Sequence, residues 1–181
     1  LCLNMAGDDA SADTWSTKKA GLCESLLQQT GTAEAQATYA RACYNVGENA
    51  YKLGSYQRAA DYLALCLERY EPVAEALGGY HHSEYLARLA YYQIVVTQDF
   101  APALEHAALA ADLQPESSFA LYNLGYALLF NGQLDAADLV FTRLAERSAG
   151  ERENVRLDFE AMTAAGLSHP HMEAILAKMG G

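Results

Sequence analysis

The fold is decided by residues 122 to 141, "YNLGYALLFNGQLDAADLVF", which place Gly125 in the middle of an apolar helical run. A glycine there costs about 0.5–1 kcal/mol relative to alanine, because it loses more conformational entropy on folding. Residues 44 to 63, "YNVGENAYKLGSYQRAADYL", repeat the pattern: Tyr-Asn-x-Gly begins both stretches, a second glycine follows, and Ala-Ala-Asp lies beyond it. A glycine that recurs in register with its neighbours indicates a repeated packing contact.

A weaker copy of the pattern lies between these two stretches, in residues 85 to 115. Tyr91 takes the place of the first glycine, and Ala103 takes the place of Ala59. The interval from Ala103 to Ala137 is 34 residues. Self-similarity at a fixed period of this length predicts an array of helical repeats.

This period, with small residues at fixed places and Pro115 closing a unit, resembles the tetratricopeptide repeat. The resemblance covers residues 40 to 148 and rests on small, aromatic and alanine positions of the family pattern. It implies an all-α fold, a right-handed superhelix of antiparallel helix pairs with about nine helices. The matching residues are Cys43, Val46, Gly47, Ala50, Ala59, Leu63 and Cys66 in the first unit; Ala87, Ala90, Tyr91, Ile94, Ala103, Ala107 and Ala110 in the second; and Leu121, Leu124, Gly125, Leu128, Ala137, Phe141 and Leu144 in the third.

The two glycines of each strong copy have different predicted roles. The first lets two helices approach closely, so we expect Gly47 to face Ala59 and Gly125 to face Ala137. The second, Gly54 or Gly132, is predicted to end the first helix in a left-handed conformation. Tyr91 breaks the pattern, so we expect the middle unit to be splayed or shifted.

The resemblance also divides the chain into segments. The terminal segments are predicted to cap the array, because end repeats would otherwise expose an apolar face. The segments are residues 1–10, a poorly ordered N-terminus; residues 11–39, an N-terminal capping helix and lead-in; residues 40–148, three units at about 40–73, 84–117 and 118–150; and residues 151–181, a degenerate C-terminal repeat or capping helices.

Apolar residues at helical spacing mark both predicted caps. The N-terminal stripe consists of Trp15, Leu22 and Leu26. Towards the C-terminus, Gly166 is predicted to separate two helices, and Ser168 and Pro170 to start the second. The apolar positions of these helices are Val155, Phe159 and Met162 in the first and Met172, Ile175 and Leu176 in the second.

Composition limits the classes of partner. The chain is 51% hydrophobic, and 12 Lys and Arg against 23 Asp and Glu give a formal net charge of −11. Because nucleic-acid binding relies on clustered basic residues, a nucleic-acid partner is not expected. No apolar segment approaches the roughly 20 residues of a membrane span. The first residue is Leu1, so we expect a processed or partial chain, and the compartment, cytoplasmic or periplasmic, stays open.

The four cysteines lack the spacing of a zinc or thioredoxin-like motif. Cys43 and Cys66 lie on apolar helix faces, which favours buried thiols. A Cys2–Cys23 disulfide stays open if the protein is exported.

Catalytic chemistry has little support in the sequence, which lacks nucleophile-elbow, phosphate-loop and zinc-protease motifs. Adjacent His81 and His82, with Glu84, favour a solvated loop over a metal site, because adjacent side chains point apart. His169 and His171 flank Pro170 at a helix start, which favours a capping turn. We therefore predict no catalytic residues, no metal and no cofactor.

Binding is better supported than catalysis, because in the repeat family fixed positions of each first helix line a concave groove. Rigid aromatic surface with polar tips is typical of recognition surfaces. An amide such as that of Asn45 or Asn123 suits a ligand's backbone, since it both donates and accepts. The resemblance assigns to the groove Arg41, Tyr44, Asn45, Glu48, Tyr51 and Lys52; Tyr85, Arg88, Leu89, Tyr92, Val95 and Val96; and Phe119, Tyr122, Asn123, Tyr126, Leu129 and Phe130. The alternative is that several of these aromatics are buried between helices.

The predicted groove is weakly basic in an acidic chain, since Arg41, Lys52 and Arg88 outnumber Glu48. This balance suits an acidic segment or a C-terminal carboxylate. The family's co-chaperones that clamp heat-shock protein termini use a Lys and Asn set that is absent here. Their positions hold Tyr44, Glu48, Leu89, Phe119 and Asn123.

The sequence therefore predicts an adaptor that binds a protein or peptide in an aromatic groove, without catalysis of its own. The chain is also similar to chaperones of bacterial type III secretion translocators. Two further alternatives stay open: a homo-oligomeric scaffold that pairs through Leu89, Val95 and Val96, and a repeat domain of a larger enzyme.

Overall fold

The computed structural model describes residues 9–75 and 80–180, and within them it contains nine α-helices and no strand. This confirms the all-α prediction. None of these helices combines the length and hydropathy that a membrane span requires. The helices are α1 (Asp9–Thr30), α2 (Ala33–Lys52), α3 (Tyr56–Tyr70), α4 (Tyr80–Tyr92), α5 (Phe100–Leu113), α6 (Ser118–Phe130), α7 (Leu134–Arg147), α8 (Ala149–Ala164) and α9 (Met172–Met179). A 3₁₀ turn, Glu71–Val73, follows α3, and a π-helical turn, Gln93–Thr97, follows α4.

The structure divides into two compact units, Leu1–Tyr85 and Leu86–Gly181. In the first, α2 packs between α1 and α3. In the second, α6 packs between α5 and α7, while α8 and α9 pack on α7 and on each other. Fully buried side chains form the centre of each core: Cys43, Val46, Ala59, Leu63 and Cys66 in the first unit, and Ala103, Tyr126, Leu129, Leu144 and Met162 in the second.

Helix ends follow local chemistry. The Thr32 and Ser117 hydroxyls accept hydrogen bonds of 3.2 Å from backbone N–H groups in the first turns of α2 and α6. Gly54 and Gly132 have φ angles of +72° and +73° just beyond the ends of the same helices. A left-handed residue there redirects the chain and satisfies the last carbonyl groups. The predicted helix-ending role of both glycines is confirmed.

The C-terminal helices also follow the predicted apolar pattern. Val155, Phe159 and Met162 are buried on α8. Gly166 has a φ of +82° and separates α8 from α9. On α9, Met172 and Ile175 are buried while Leu176 is half-buried.

The mid-helix glycines mark close approaches, but they face different groups. A Cβ added to Gly47 would lie 3.2 Å from the Ala59 carbonyl oxygen and 3.1 Å from Leu63 Cγ, so the predicted contact with Ala59 is confirmed. A Cβ added to Gly125 would instead lie 2.6 Å from Cζ of Phe141. The nearest group to Gly125 is therefore the Phe141 ring, and the expected approach of Ala137 stays a prediction.

The middle copy departs from its neighbours at the end of its first helix. It has Tyr91 where the others have glycine, and the helix ends in the π turn. Gln98 occupies the place of Gly54 and Gly132 and has a φ of 54°. A left-handed conformation is unfavourable for a side chain with a Cβ, so Gln98 retains strain that glycine relieves in the other copies.

At the N-terminus α1 forms, but its packing face differs from the predicted apolar stripe. Trp15, Leu22 and Leu26 are 64%, 73% and 46% exposed. The buried face of α1 consists of small residues: Ala12, Ser16, Ala20 and Cys23. Asp9 and Ala10, assigned to the poorly ordered segment 1–10, form the first turn of α1; residues 1–8 lie outside the described residues.

The thiols of Cys23, Cys43 and Cys66 are free and buried. Burial raises the pKa of Cys43 to about 11 and raises the pKa of Cys66 further. Both are therefore protonated, unreactive core groups at neutral pH, as predicted. Cys2 lies outside the described residues.

Replacing Gly125 with alanine should lower the free energy of unfolding by about 1–2 kcal/mol. The new methyl group would overlap the buried Phe141 ring, and this overpacking outweighs the gain in helix propensity. Gly21→Ala is the matched control, because Gly21 lies within α1 with no atom within 4 Å of an added Cβ. Urea unfolding should show that the control gains about 0.5–1 kcal/mol. A higher free energy of unfolding for both variants would contradict the close approach of Phe141 to Gly125.

Replacing Gln98 with glycine should raise the free energy of unfolding by about 0.5–1 kcal/mol, because glycine adopts a positive φ without strain. The reciprocal change, Gly132→Gln, places the same side chain at the equivalent position and should be destabilising by a similar amount. Thermal and urea unfolding measure both effects. Equal stability of Gln98→Gly and the wild type would show that Gln98 is unstrained.

Candidate functional site

The predicted groove positions of the first unit lie along one face of α2. Their spacing of three, four and seven residues places them opposite the buried residues of the same helix. The more exposed face contains Arg41 and Lys52, which are exposed, and Tyr44, Asn45, Glu48 and Tyr51, which are half-buried.

Tyr44 joins this face to the start of α4. Its hydroxyl donates a 3.0 Å hydrogen bond to Glu84, and its ring lies 5.0 Å from the ring of Tyr85. Tyr85 is 2% exposed and meets Tyr70 edge-on at 5.1 Å. Burial raises the pKa of Tyr85, so its hydroxyl stays protonated. Tyr44, Tyr70 and Tyr85 thus form a fixed tyrosine cluster beneath the exposed polar groups of α2.

The two histidines beside this cluster interact with different carboxylates. Nδ1 of His81 lies 3.5 Å from Glu84, whereas Nε2 of His82 lies 3.9 Å from Glu71. Burial lowers the pKa of His82, which favours its neutral form. The part of the chain that the structure describes contains no group of three side chains placed to hold a metal ion.

In the second unit the predicted positions divide into a buried and a half-buried group. Those that are half-buried lie at the surface: Arg88, Val95, Val96, Phe119, Tyr122 and Phe130. The buried group belongs to the core: Leu89, Tyr92, Asn123, Tyr126 and Leu129. Burial of a whole aromatic side chain stabilises the fold by several kcal/mol in typical cores. Tyr92 and Tyr126 therefore stabilise the core of this unit.

Arg88 and Phe119, two half-buried positions of the predicted groove in this unit, are in contact. The Arg88 guanidinium carbon lies 4.6 Å from the centre of the Phe119 ring, within the range of a cation–π interaction. Phe130 stacks on Phe100 with the ring centres 5.5 Å apart. Both contacts hold aromatic surface in a defined orientation at the surface of the unit.

Three hydrogen bonds connect the same face of α6 to α8. Ser118 donates to Glu151 at 2.8 Å, the Asn154 amide donates to the Tyr122 hydroxyl at 3.0 Å, and Tyr126 donates to Asp158 at 2.7 Å. We call this set the α6–α8 ladder. Sequence reasoning missed the α8 members, although each lies 32 or 33 residues after its partner, close to one repeat period.

Asp158 is the most unusual charged group of the ladder. Burial raises its pKa, while the hydrogen bond from Tyr126 and the positive charge of Arg88 oppose that rise. Burial and the neighbouring carboxylate raise the pKa of Tyr126 well above its ordinary value. Asp158 and Arg88 are both half-buried, so this end of the predicted groove face carries both signs of charge.

Asn45 and Asn123 occupy equivalent positions but different environments. Asn45 is half-buried. Asn123 is 1% exposed, and its amide nitrogen donates to the Phe119 carbonyl oxygen at 2.8 Å. The amide nitrogen of Asn123 is therefore used within its own helix, and of the two side chains that of Asn45 is the more exposed.

Histidines near the C-terminus have a structural role. The backbone N–H of His171 donates to Nδ1 of His169, which is the predicted capping turn. His171 Nε2 lies 2.9 Å from Asp138, and Lys178 also donates to this carboxylate. Burial disfavours ionisation of Asp138, but the bonds from Lys178 and His171 outweigh it and lower its pKa. These contacts join α9 to α7.

Comparison with protein families identifies the repeats. The tetratricopeptide repeat model matches residues 40–72 and 120–150. These two segments are therefore similar to tetratricopeptide repeats. No significant match was found among curated proteins. The two matched segments are the copies with Gly47 and Gly125, whereas the copy with Tyr91 is unmatched and its assignment as a third tetratricopeptide repeat stays a prediction.

Tetratricopeptide repeats generally mediate protein–protein interaction, and proteins of this family are typically non-catalytic adaptors. The described face of α2 lies in the first matched segment, and most of the described face of α6 lies in the second. In this chain the polar tips of their tyrosines are already hydrogen-bonded, Tyr44 to Glu84 and Tyr122 to Asn154. These hydrogen bonds hold the two rings in defined positions.

Replacing Asp158 with asparagine should change the pH dependence of stability. Because the folded-state pKa of Asp158 is raised, its contribution to stability is fully present below its unfolded pKa and is lost as the pH rises through the folded pKa. The free energy of unfolding of Asp158→Asn, relative to the wild type, should increase with pH above about 4 and then level off. Urea unfolding at a series of pH values measures this difference. A difference that falls with pH would reverse the sign of the assigned shift.

Proposed function

We propose that the chain is an adaptor that binds an extended protein or peptide segment, with acidic character, on the first-helix faces of its tetratricopeptide repeats. The observation that carries the proposal is the face of α2, where half-buried Tyr44, Asn45 and Tyr51 lie between Arg41 and Lys52. Neither basic side chain forms an ion pair with another described residue. Their charge is thus available to a ligand.

The geometry favours recognition over catalysis. The rings are held by neighbouring side chains, and the buried thiols are protonated. Asn45 supplies an amide that both donates and accepts, which suits the backbone of an extended segment. Acidic side chains or a C-terminal carboxylate of the ligand would be recognised by Arg41 and Lys52. The face therefore combines rigid contact area with two positions for negative charge.

The second unit supports the same function through its half-buried groove positions. Arg88 on the Phe119 ring and the Tyr122 ring beside Asn154 again combine aromatic surface with a basic or amide group. Both units thus present similar chemistry on the equivalent helices of their repeats. We propose that the half-buried and exposed groove positions contact the ligand, and that the buried ones support them.

The test is affinity capture from a lysate of the source organism with matched charge reversals. Arg41→Glu alters the proposed surface, whereas Arg152→Glu reverses an exposed charge on α8. A partner retained by the wild type and by Arg152→Glu, but reduced at least about tenfold by Arg41→Glu, is the expected result. Its retention should also fall as salt rises, because exposed charges are screened.

Two other outcomes would contradict the proposal. A partner that binds Arg41→Glu and the wild type equally would place its site on another surface. Recovery of the chain alone, with a mass in light scattering that increases with concentration, would favour a homo-oligomeric scaffold. Tyr92→Ala and Tyr126→Ala are unsuitable probes, because both side chains are fully buried and their loss would leave core cavities.

A further inference from the structure

The outer side of α1 exposes an apolar stripe that is separate from the groove positions. Trp15, Leu22 and Leu26 lie within about 40° of one another around the helix axis and extend for about 16 Å along it. Their side chains are 64%, 73% and 46% exposed. Lys18 and Lys19 are also exposed and flank this line on opposite sides. We call these five residues the α1 stripe.

A neighbouring face of α1, about a quarter turn from the stripe around the helix axis, is already packed and hydrogen-bonded. Its buried Ser16 accepts a 3.1 Å hydrogen bond from the Asn49 amide. Arg58 forms a 2.7 Å ion pair with Asp13 and donates to Thr17 at 2.7 Å. These bonds fix the rotation of α1 about its axis, so the stripe cannot turn inward without breaking them. The stripe is therefore presented outward by a fixed helix.

The charge of the stripe is opposite to that of the chain. The net charge is −11, yet the stripe carries two lysines and no carboxylate. Lys18 lies 5.8 Å from the centre of the Trp15 ring, and neither lysine forms an ion pair among the described residues. An acidic protein thus leaves two basic groups unneutralised beside one line of exposed apolar side chains.

We propose that the α1 stripe docks an amphipathic helix of a partner protein, whose leucine-like residues cover Trp15, Leu22 and Leu26 and whose acidic residues pair with Lys18 and Lys19. Three turns of α1 are covered by a partner helix of about 10–15 residues. Positive charge on both sides of the apolar line selects a helix with carboxylates on both flanks. The surface is distinct from the first-helix faces, so the protein would hold two ligands of different form.

The charge pattern disfavours two other occupants. In a two-fold pair of α1 helices the same surface meets itself, which brings the lysines of both copies to one interface. An anionic bilayer would attract the lysines but repel a chain with a net charge of −11. A separate acidic helix satisfies the lysines and covers the apolar line at the same time.

Trp15 provides a direct measurement, because it is the only tryptophan of the chain. The probe is a synthetic amphipathic peptide of about 15 residues, with leucines three and four residues apart and glutamates on both flanks. Titration into the full chain should shift the Trp15 emission to the blue, saturably, as the indole leaves water. A peptide of the same design with lysine in place of glutamate is the matched ligand control and should bind at least about tenfold more weakly.

Variants of the chain test the contacts. Lys18→Glu with Lys19→Glu, and separately Leu22→Ser, should each weaken binding of the acidic peptide at least about tenfold. Leu139→Ser is the matched control, since Leu139 on α7 is 73% exposed, as Leu22 is. It should leave the affinity unchanged. All these positions are exposed, so thermal unfolding should confirm that the variants fold.

Four results would overturn the proposal. In the first, the acidic peptide causes no shift of the Trp15 emission at millimolar concentration, and in the second, the lysine peptide binds as tightly as the acidic one. In the third, the emission shifts with the concentration of the chain alone. In the fourth, it shifts with anionic phosphatidylserine vesicles but not with the peptide. The third would assign the stripe to a second copy, and the fourth to a bilayer.

Discussion

The close approach of paired helices at one glycine position determines the rest of the repeat. At Gly47 the neighbouring helix contributes a backbone carbonyl and a leucine, and at Gly125 it contributes the ring of Phe141. Either contact brings the second helix near enough to bury its own small residues. In the middle copy Tyr91 occupies this position, and there the first helix ends in a π turn with Gln98 in a left-handed conformation. The two copies with a glycine at this position thus also have a glycine at the end of the first helix, whereas the middle copy has neither.

Those parts of the fold that depend on local chemistry could be predicted from the sequence. Gly54 and Gly132 end helices because a positive φ favours glycine wherever it occurs. The partner of Gly125 could not be predicted in the same way. Leu63 and Phe141 share one repeat position and both lie over the glycine. The Ala59 carbonyl oxygen comes almost equally close to Gly47, whereas the three atoms nearest to Gly125 all belong to the larger Phe141 side chain. The size of the side chain sixteen residues after the glycine therefore determines which atoms lie nearest to it.

Burial of the groove positions was the least predictable part of the site, because it depends on the next helix and not on the helix that carries the residue. Tyr44 and Tyr126 lie on equivalent faces of α2 and α6. Tyr44 remains half-buried beside Glu84, whereas Tyr126 is enclosed by Phe141, Phe159 and its bond to Asp158. The exposed α1 stripe has the same origin: small residues such as Ala12 and Ala20 pack more closely on α2 than leucines would, so the larger side chains face outward.

The basic residues show how two such surfaces arise in an acidic protein. Several are neutralised within the fold, as Arg58 is by Asp13 and Arg147 by Glu116. Those without an ion pair in the described part of the chain include the pairs at the two proposed surfaces, Arg41 and Lys52 on α2 and Lys18 and Lys19 on α1. Aromatic rings and an amide accompany the first pair, which suits an extended segment; an apolar line accompanies the second, which suits a helix. Both surfaces are basic and therefore favour acidic ligands. The α2 surface suits an extended segment and the α1 stripe suits a helix, so we expect each surface to select a different ligand.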